Sequence, residues 1–289
     1  MKAESMSPQQ THHNAASMTL RFWGVRGSFP CPDADMSKIG GNTACVEVRC
    51  GEHILIFDAG TGIRKLGDML IAEKQSAKIN VFFSHYHLDH IMGLPFFAPL
   101  YSSGHTISLW GAQSGAGSSI ENAVRRLMSD PLFPIEIGDF SARYEFRNFR
   151  TGEILNPSPD ITIRTIPLHH PGGATGYRID YRGRSIAYLT DTEFPGGMID
   201  PAILALAQNA DLVVLDCTYT DEELPQHRGW GHASWQQGVQ FAKDSNAKQL
   251  CLFHHDLKHN DAFMDAIGKA AHAAHPGTIV AYEGLRIDL

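Results

Sequence analysis

The sequence predicts an α/β domain in which strands and helices alternate along the chain. Short apolar runs typical of buried strands recur through the sequence, and amphipathic segments typical of helices separate many of them. The chain has 289 residues, of which 43% are hydrophobic, so it is long enough to bury one large core. Because neither a tandem repeat nor a linker divides it, we expect a single domain over residues 19–289.

The individual elements follow from these runs. Strands are predicted at 19–23, 44–50, 53–57, 79–84, 106–110, 160–166, 176–181, 184–190, 211–216, 248–253 and 278–288. Helices are predicted at 62–72, 93–98, 119–128, 201–208, 234–243 and 260–274. The last helix has one apolar stripe, which includes Phe263 and Ile267, so we expect it to pack on the outer face of a sheet. Residues 1–18 are polar and predict a flexible tail.

The most informative stretch is Ser84-His85-Tyr86-His87-Leu88-Asp89-His90, directly after the apolar run 81–83. Alternate residues of a strand share one face, so His85 and His87 point the same way, and Asp89 and His90 follow where the chain turns. Neutral imidazoles and carboxylates are ligands of zinc, manganese and iron. Four ligand-type side chains at this spacing favour a metal site over a histidine-rich loop that binds nothing.

Three later positions offer further ligands, and each follows a short apolar run. They are the doublet His169-His170, the single Asp191, and the run His254-His255-Asp256. This placement is expected if the strands of a sheet deliver ligands to one shared edge. Within each histidine doublet, the residue pattern leaves either member open as the ligand.

The spacing H-x-H-x-D-H at residues 85–90, followed by a later His, Asp and His in that order, resembles the metallo-β-lactamase superfamily of metal hydrolases. The sequence is most similar to the phosphodiesterase branch, which holds ribonuclease Z, the phosphonate-pathway cyclic phosphodiesterase and bacterial cyclic-nucleotide phosphodiesterases. The segments that carry this similarity are Phe22–Ser28, Gly40–Thr43, Phe57–Gly62 and Gly176–Arg178. The resemblance covers about residues 19–289 and implies a four-layer αββα sandwich.

The resemblance also implies two divalent metal ions, with zinc as the first expectation and manganese or iron as alternatives. The implied ligands of one ion are His85, His87 and His170, those of the other are Asp89, His90 and His254, and Asp191 bridges both. His170 is favoured because Pro-Gly-Gly follows it, and His254 because it comes directly after the strand; His169 and His255 are the alternatives. Two such ions share a water, and Asp89 would also orient the bridging hydroxide.

The segment 227–234 resembles a conserved histidine motif of the ribonuclease Z branch. The resemblance implies that His232 binds the phosphate and protonates the leaving group, and that Asp216, at the end of a predicted strand, orients its ring. The alternative is that His232 caps the helix that begins near Ser234. We favour the functional interpretation, which points to phosphoesters rather than β-lactams as substrates.

We therefore predict a metal-dependent phosphoric diester hydrolase that acts on small anionic phosphodiesters, cyclic nucleotides among them, through a metal-bridging hydroxide. A thioester or lactone hydrolase is the alternative, and a metal-dependent binding module that turns over nothing is a weaker one. A tRNA 3′-processing endonuclease is disfavoured, because the net charge is −7, no basic run marks an extended nucleic-acid surface, and no Gly- and Lys-rich insertion is present.

The remaining features are less specific. The five cysteines form no C-x-x-C pair, and neither a membrane-length apolar run nor a signal peptide is visible, so we expect a cytoplasmic protein with reduced thiols and no membrane contact. Arg26 is interpreted either as a phosphate-binding residue or as a surface arginine, and Asp58 as a structural or outer acid near the metals. The segment 101–150, with Leu132 and Phe133, is expected to cover the cleft, form a homodimer contact or pack in the core.

Overall fold

A computed structural model describes residues 17–113 and 119–289. Two seven-stranded sheets face each other, and helices pack on their outer faces, which gives the αββα sandwich that the resemblance implied. Most of the predicted tail, residues 1–16, lies outside the described residues, whereas Met18 is fully buried and begins the first strand. Within the described parts of the chain, no helix is both long enough and apolar enough to cross a membrane.

The first sheet combines an antiparallel half with a parallel half. Its strands are β1 (Met18–Gly24), β2 (Cys45–Cys50), β3 (His53–Phe57), β4 (Lys78–Phe83), β5 (Thr106–Ala112), β6 (Arg143–Phe149) and β14 (Arg286–Asp288). They lie in the order β14-β1-β2-β3-β4-β5-β6. The strands from β3 to β6 run parallel, so the carboxyl ends of β3 and β4 lie at the same edge of the sheet.

The second sheet has the same plan. Its strands are β7 (Ile154–Ser158), β8 (Ile161–Leu168), β9 (Ala174–Tyr181), β10 (Arg184–Leu189), β11 (Leu212–Asp216), β12 (Leu250–Phe253) and β13 (Thr278–Val280). They lie in the order β13-β12-β11-β10-β9-β8-β7, with β10 to β13 parallel. In parallel strands the carboxyl ends gather at one edge, which is where α/β proteins bind ligands.

Among the described residues, five α-helices begin and end close to the predicted positions, whereas a short one, Leu88–Ile91, was not predicted. The helices are α1 (Ile63–Ala72), α2 (Leu88–Ile91), α3 (Ile120–Leu127), α4 (Pro201–Ala207), α5 (Trp235–Asp244) and α6 (Asp261–Ala274). Their starts have local causes: the side chain of Asp200 caps α4, that of Ser234 caps α5 and that of Asn260 caps α6. As expected, α6 packs against the second sheet, through Met264, Ile267 and Ala271.

Three other parts of the chain differ from the predicted elements. The helix predicted at 93–98 is a pair of 3-10 turns, Leu94–Phe96 and Ala98–Tyr101, because Pro99 lacks the N–H that an α-helix continuing from Leu94 would need there. The strand predicted at 278–288 is divided between the two sheets, as β13 and β14. The strands β6 and β7 were not predicted, since their exposed positions carry no uniform apolar signal.

Candidate metal centre

The side chains predicted as metal ligands converge at the edge where the carboxyl ends of the parallel strands meet. They form overlapping groups in which the ligand atoms lie within 4.8 Å of one another. Two of these groups match the two predicted ligand sets, namely His85 with His87 and His170, and Asp89 with His90 and His254. The sheets of the sandwich contribute to both groups, so the centre exists only when the sheets face each other.

In the first group, three imidazole nitrogens face a common point. His85 Nε2 lies 2.9 Å from His87 Nδ1, which lies 3.1 Å from His170 Nε2. Asp191 Oδ1 is 3.6 Å from His170 Nε2 and 3.9 Å from His85 Nε2. Burial lowers the pKa of both His85 and His170, so their imidazoles are neutral, which is the form that binds a metal.

The second group is arranged around His90 Nε2, which lies 3.2 Å from Asp89 Oδ2 and 3.3 Å from His254 Nε2. Asp191 presents its other oxygen here, since Oδ2 is 3.2 Å from His90 Nε2 and 3.4 Å from His254 Nε2. Burial acts to raise the pKa of Asp89 and Asp191, but the surrounding histidines outweigh it and hold both values below the ordinary range. Both carboxylates are therefore ionised, and Asp191 lies between the two groups.

These residues fit two divalent ions. With metal–ligand bonds of about 2.0–2.1 Å, neighbouring ligand atoms in a tetrahedral site lie about 3.3 Å apart. The distances given above between ligand atoms, those of Asp191 included, run from 2.9 to 3.9 Å and so bracket that spacing. A set of imidazole nitrogens and carboxylate oxygens suits zinc, manganese and iron.

In each histidine doublet, the surroundings distinguish the member that faces the centre from the member that does not. His169 points away from the centre, with 47% of its side chain exposed and Nε2 3.1 Å from Asp200 Oδ2. His255 is fully buried outside the centre, where Nε2 lies 2.8 Å from the Ala281 carbonyl oxygen. Burial lowers the pKa of His255 to about 3, so it is a neutral residue of the core.

Buried hydrogen-bond partners hold the ring of His90 in place on the side away from the centre. His90 Nδ1 donates to Asp58 Oδ2 at 2.9 Å, and the same carboxylate accepts hydrogen bonds from the Ser84 hydroxyl and the Tyr188 hydroxyl, each at 2.8 Å. These contacts leave His90 Nε2 aimed at the second group. Asp58, which the sequence placed only loosely as a structural or outer acid, thus holds a ring of the centre in place.

Three residues at this edge have left-handed backbone conformations, although none is a glycine. The φ angles are 62° at Asp58 and 63° at His254, each directly after a strand, and 56° at Asp191, two residues after β10. A non-glycine residue in this region costs on the order of 1 kcal/mol or more and persists only where surrounding contacts fix it. The sharp turn takes the chain away from the strand just where the side chain joins the centre.

Next to the centre lies the pair His232 and Asp216, whose Nδ1 and Oδ2 atoms are 2.7 Å apart. Burial acts to lower the pKa of His232, but the Asp216 carboxylate outweighs it and raises the pKa to about 9. The His232 ring centre is 5.3 Å from that of His170 and 5.0 Å from that of His254. The cap of α5 is the Ser234 hydroxyl, which accepts the Gln237 amide, so His232 does not serve as a cap.

The loop after β1 closes the centre from the first sheet, and sequence reasoning did not assign it a role. The Ser28 amide donates to Asp89 Oδ2 at 2.8 Å. Gly27 packs so closely on His254 that an added Cβ would lie 2.4 Å from the imidazole ring. The similarity of the segment Phe22–Ser28 to the family did not reveal this contact, because Gly27 meets a residue more than 200 positions away in the sequence.

Arg26 is neither a surface arginine nor a phosphate ligand. Its side chain is fully buried and donates to the backbone carbonyls of Gly40, Asp256 and His259 at 2.8, 3.1 and 2.6 Å. The guanidinium therefore ties the loop after β1 to the segment after β12. This corrects both interpretations of Arg26 drawn from the sequence.

A cleft of about 250 Å³ opens beside the first group, lined among others by His87, Tyr86, Gly173 and Thr175.

In the segment 101–150, α3 packs on the first sheet through buried Ile120 and Val124, so ordinary core packing accounts for this helix. Phe133 contacts Phe96 with ring centres 5.6 Å apart, and Leu132 remains 75% exposed.

The sequence matches the profile of a family described as the beta-lactamase superfamily domain over residues 53–255. Among curated proteins, ribonuclease Z of Haloarcula marismortui is 20% identical over 93% of this chain and 96% of its own length. Ribonuclease Z of Gemmatimonas aurantiaca is 25% identical over 94% and 96%, respectively. These similarities agree with the phosphodiesterase branch that the sequence resembles.

Solved structures show the same fold. The metallo-beta-lactamase fold protein YhfI from Bacillus subtilis aligns with a TM-score of 0.73 at 21% identity, covering 95% of this chain and all of its own. Human tRNase Z, short form, aligns with a TM-score of 0.67 at 21% identity, covering 93% and 98%. The chain belongs to the beta-lactamase superfamily domain family. It is a metal-dependent hydrolase of that superfamily.

Proposed function

We propose that this protein is a dinuclear metal-dependent phosphodiesterase that hydrolyses small phosphodiesters, cyclic nucleotides among them. The observation that carries the proposal is the His232–Asp216 pair, which stands beside two groups of metal-ligand side chains. The metals proposed are two zinc ions, one held by His85, His87 and His170, the other by Asp89, His90 and His254, with Asp191 shared.

When bound, two such ions supply an acidified water and positive charge that stabilises the phosphoryl transition state. Asp89 is suited to orient that water, because its Oδ2 is fixed by the Ser28 amide while it faces the centre. This carboxylate is ionised and can accept a hydrogen bond from that water. Its orientation thus aims the oxygen at phosphorus from a fixed direction.

His232 is suited to protonate the departing oxygen. Its Nδ1 is engaged by Asp216, so Nε2 is the nitrogen left to donate to a substrate. The Asp216 carboxylate raises the pKa of His232 to about 9, which favours the protonated ring that a general acid requires. Asp216 is itself fixed by the amides of Asp191 and Ala233, so the ring of His232 has a firm support.

A screen of phosphodiesters, from bis-p-nitrophenyl phosphate to 2′,3′- and 3′,5′-cyclic nucleotides, with metal analysis of the same sample, tests this proposal. We expect turnover at two ions per chain. The adjacent pair His170→Ala and His169→Ala provides a matched control, since only the first should lower metal content and activity. A fully metallated protein that hydrolyses no phosphodiester would exclude the proposal.

A ribonuclease acting on tRNA is the second candidate, because the curated relatives named above are called ribonuclease Z. The net charge of −7 argues against a large RNA partner, since phosphate contacts need clustered Lys and Arg. Cleavage of a precursor tRNA at its 3′ side, more efficient than that of a cyclic nucleotide, would favour this candidate. Hydrolysis of a thioester or lactone that survives His232→Ala would instead favour the other alternative.

We further propose a homodimer in the cytoplasm. Free, buried cysteines at all five positions suit a reducing compartment. Exposed Leu88 and Leu132, at 64% and 75%, offer apolar surface for a contact between copies. Sedimentation of the full chain as a monomer at micromolar concentration would exclude the dimer.

A further inference from the structure

An exposed tryptophan lies on a loop that is otherwise held firmly. Trp230 is 58% exposed, and its neighbours Gly229 and Gly231 have φ angles of 80° and 85°, which side chains rarely adopt. A single exposed aromatic residue is ordinary on a protein surface. What distinguishes Trp230 is the way its backbone is fixed on both sides.

The fixing group is the carboxylate of Glu193, on the loop that carries Asp191. Glu193 Oε2 accepts hydrogen bonds from the Gly229 amide at 2.8 Å and from the Gly231 amide at 3.1 Å, so one oxygen holds the backbone on both sides of Trp230. The Gly231 carbonyl oxygen in turn accepts a hydrogen bond from His170 Nδ1 at 3.0 Å. The loop is therefore tied directly to the metal centre.

Gly231 leaves no room for a side chain, because an added Cβ would lie 2.2 Å from His170 Nδ1. The loop thus approaches the centre as closely as backbone allows.

A series of ring contacts leads from Trp230 to the same centre. The Trp230 ring meets His227 edge-on at 4.9 Å, His227 stacks on Tyr219 at 4.1 Å, and Tyr219 meets His232 edge-on at 5.9 Å. Trp230 is two residues before His232, so their backbones are at most about 7 Å apart. A group attached to a scissile phosphate beside His232 is therefore within reach of Trp230.

We propose that Trp230 is a subsite that stacks on a planar ring of the substrate, a nucleobase attached to the scissile phosphodiester. This inference rests on the proposed phosphodiesterase function and adds the substrate class. An indole face offers a large flat surface, and stacking one base on an aromatic side chain strengthens binding by about tenfold or more. Glu193 fixes the backbone on both sides of Trp230, and His227 contacts the indole ring, so little ordering is needed on binding.

Two ligands that differ only by the base test the subsite: adenosine 5′-monophosphate and ribose 5-phosphate. Their dissociation constants are measured on the metallated protein by calorimetry. We expect the nucleotide to bind about tenfold or more tightly in the native protein, and the two to bind almost equally in Trp230→Ala. Trp230→Phe should keep most of the preference, whereas Trp230→Leu, which is apolar but has no ring, should lose it.

Glu193→Ala should reduce the preference in the same direction, because the loop loses its anchor. Tyr282→Ala, at an aromatic residue 42% exposed on the connection between β13 and β14, is the matched control and should leave the preference unchanged. An equal preference in the native protein and Trp230→Ala overturns the subsite, even if phosphodiesters are hydrolysed. A preference lost in Trp230→Ala supports the subsite even if no phosphodiester is hydrolysed, so the two proposals can fail separately.

Discussion

Replacing Gly27 by alanine is the sharpest test of how the metal centre is built. The new Cβ would lie 2.4 Å from His254 Nδ1 and Cε1, whereas ordinary contacts are 3.4 Å or longer, so the ring must retreat by about 1 Å. The φ angle of Gly27 is not in the left-handed region, so the backbone accepts alanine. The whole effect should therefore come from the contact with His254.

His254 has little freedom to retreat. Its ring is stacked between those of His232 and His90, at 5.0 and 5.3 Å, and the Thr218 hydroxyl donates to its carbonyl at 2.7 Å. A ligand nitrogen displaced by about 1 Å lies far outside the tolerance of roughly 0.2 Å for a metal bond. We expect the second ion to bind on the order of 10- to 100-fold more weakly, and stability to fall by about 1–3 kcal/mol.

The assay is competition with a chelator, followed by metal analysis, together with thermal unfolding of the same samples. Gly138→Ala is the matched control, because an added Cβ there meets nothing within 4 Å. Native-like affinity for both ions in Gly27→Ala would refute the assignment of His254 as a ligand, or the rigidity argued for its ring. Equal losses in both variants would point to a general effect of alanine substitution.

Three further outcomes are expected. His232→Ala should lower kcat for phosphodiesters by about 10²- to 10⁴-fold at unchanged metal content, and full activity would remove its role as proton donor. Asp58→Asn should weaken the ion near His90 by about 10- to 100-fold in chelator competition, because the ring loses its buried acceptor; native affinity would leave Asp58 a structural role only. Burial acts to raise the pKa of Asp211, but the hydrogen bond from Lys248 outweighs it and holds this pKa below its ordinary value of 3.8. The ionised carboxylate therefore stabilises the fold above pH 3.8, and this stability is lost as the pH falls through the lowered pKa. Asp211→Asn should therefore cost about 1–2 kcal/mol in urea unfolding near pH 7, and the difference should shrink below about pH 4; an undiminished difference near about pH 3 would contradict the linkage.

Much of the fold could be predicted because its causes are local. The strands β2, β3 and β4 are short apolar runs, and the helices α4 and α6 begin at Asp200 and Asn260, whose capping side chains are visible in the sequence. The split of 278–288 between two sheets was not predictable in this way. Both halves are apolar enough to be strands, and only their long-range partners assign them to different sheets.

The histidine doublets show the same limit within the site. His169 and His170 have the same chemistry and adjacent positions, so the residue pattern left both open and only the family resemblance favoured His170. In the structure, the turn after β8 aims His170 at the centre and His169 away from it. Gly27 lies in the segment Phe22–Ser28, which carries the family similarity but indicates no partner for the glycine, and Glu193 lies in no motif. Each acts on a residue distant in sequence, His254 or the loop around Trp230, and such contacts arise only after the strands that carry the two partners have assembled.

The sequence by itself determined the chemistry of the centre, because ligand-type side chains placed directly after buried strands must emerge at a sheet edge. The run from His85 to His90 needs only one strand and one turn to take shape. Tertiary structure alone decided which side chains share a point in space. It brought His170 to His87 and His254 to His90 and set Asp191 between the two groups, and these placements depend on the two sheets packing face to face.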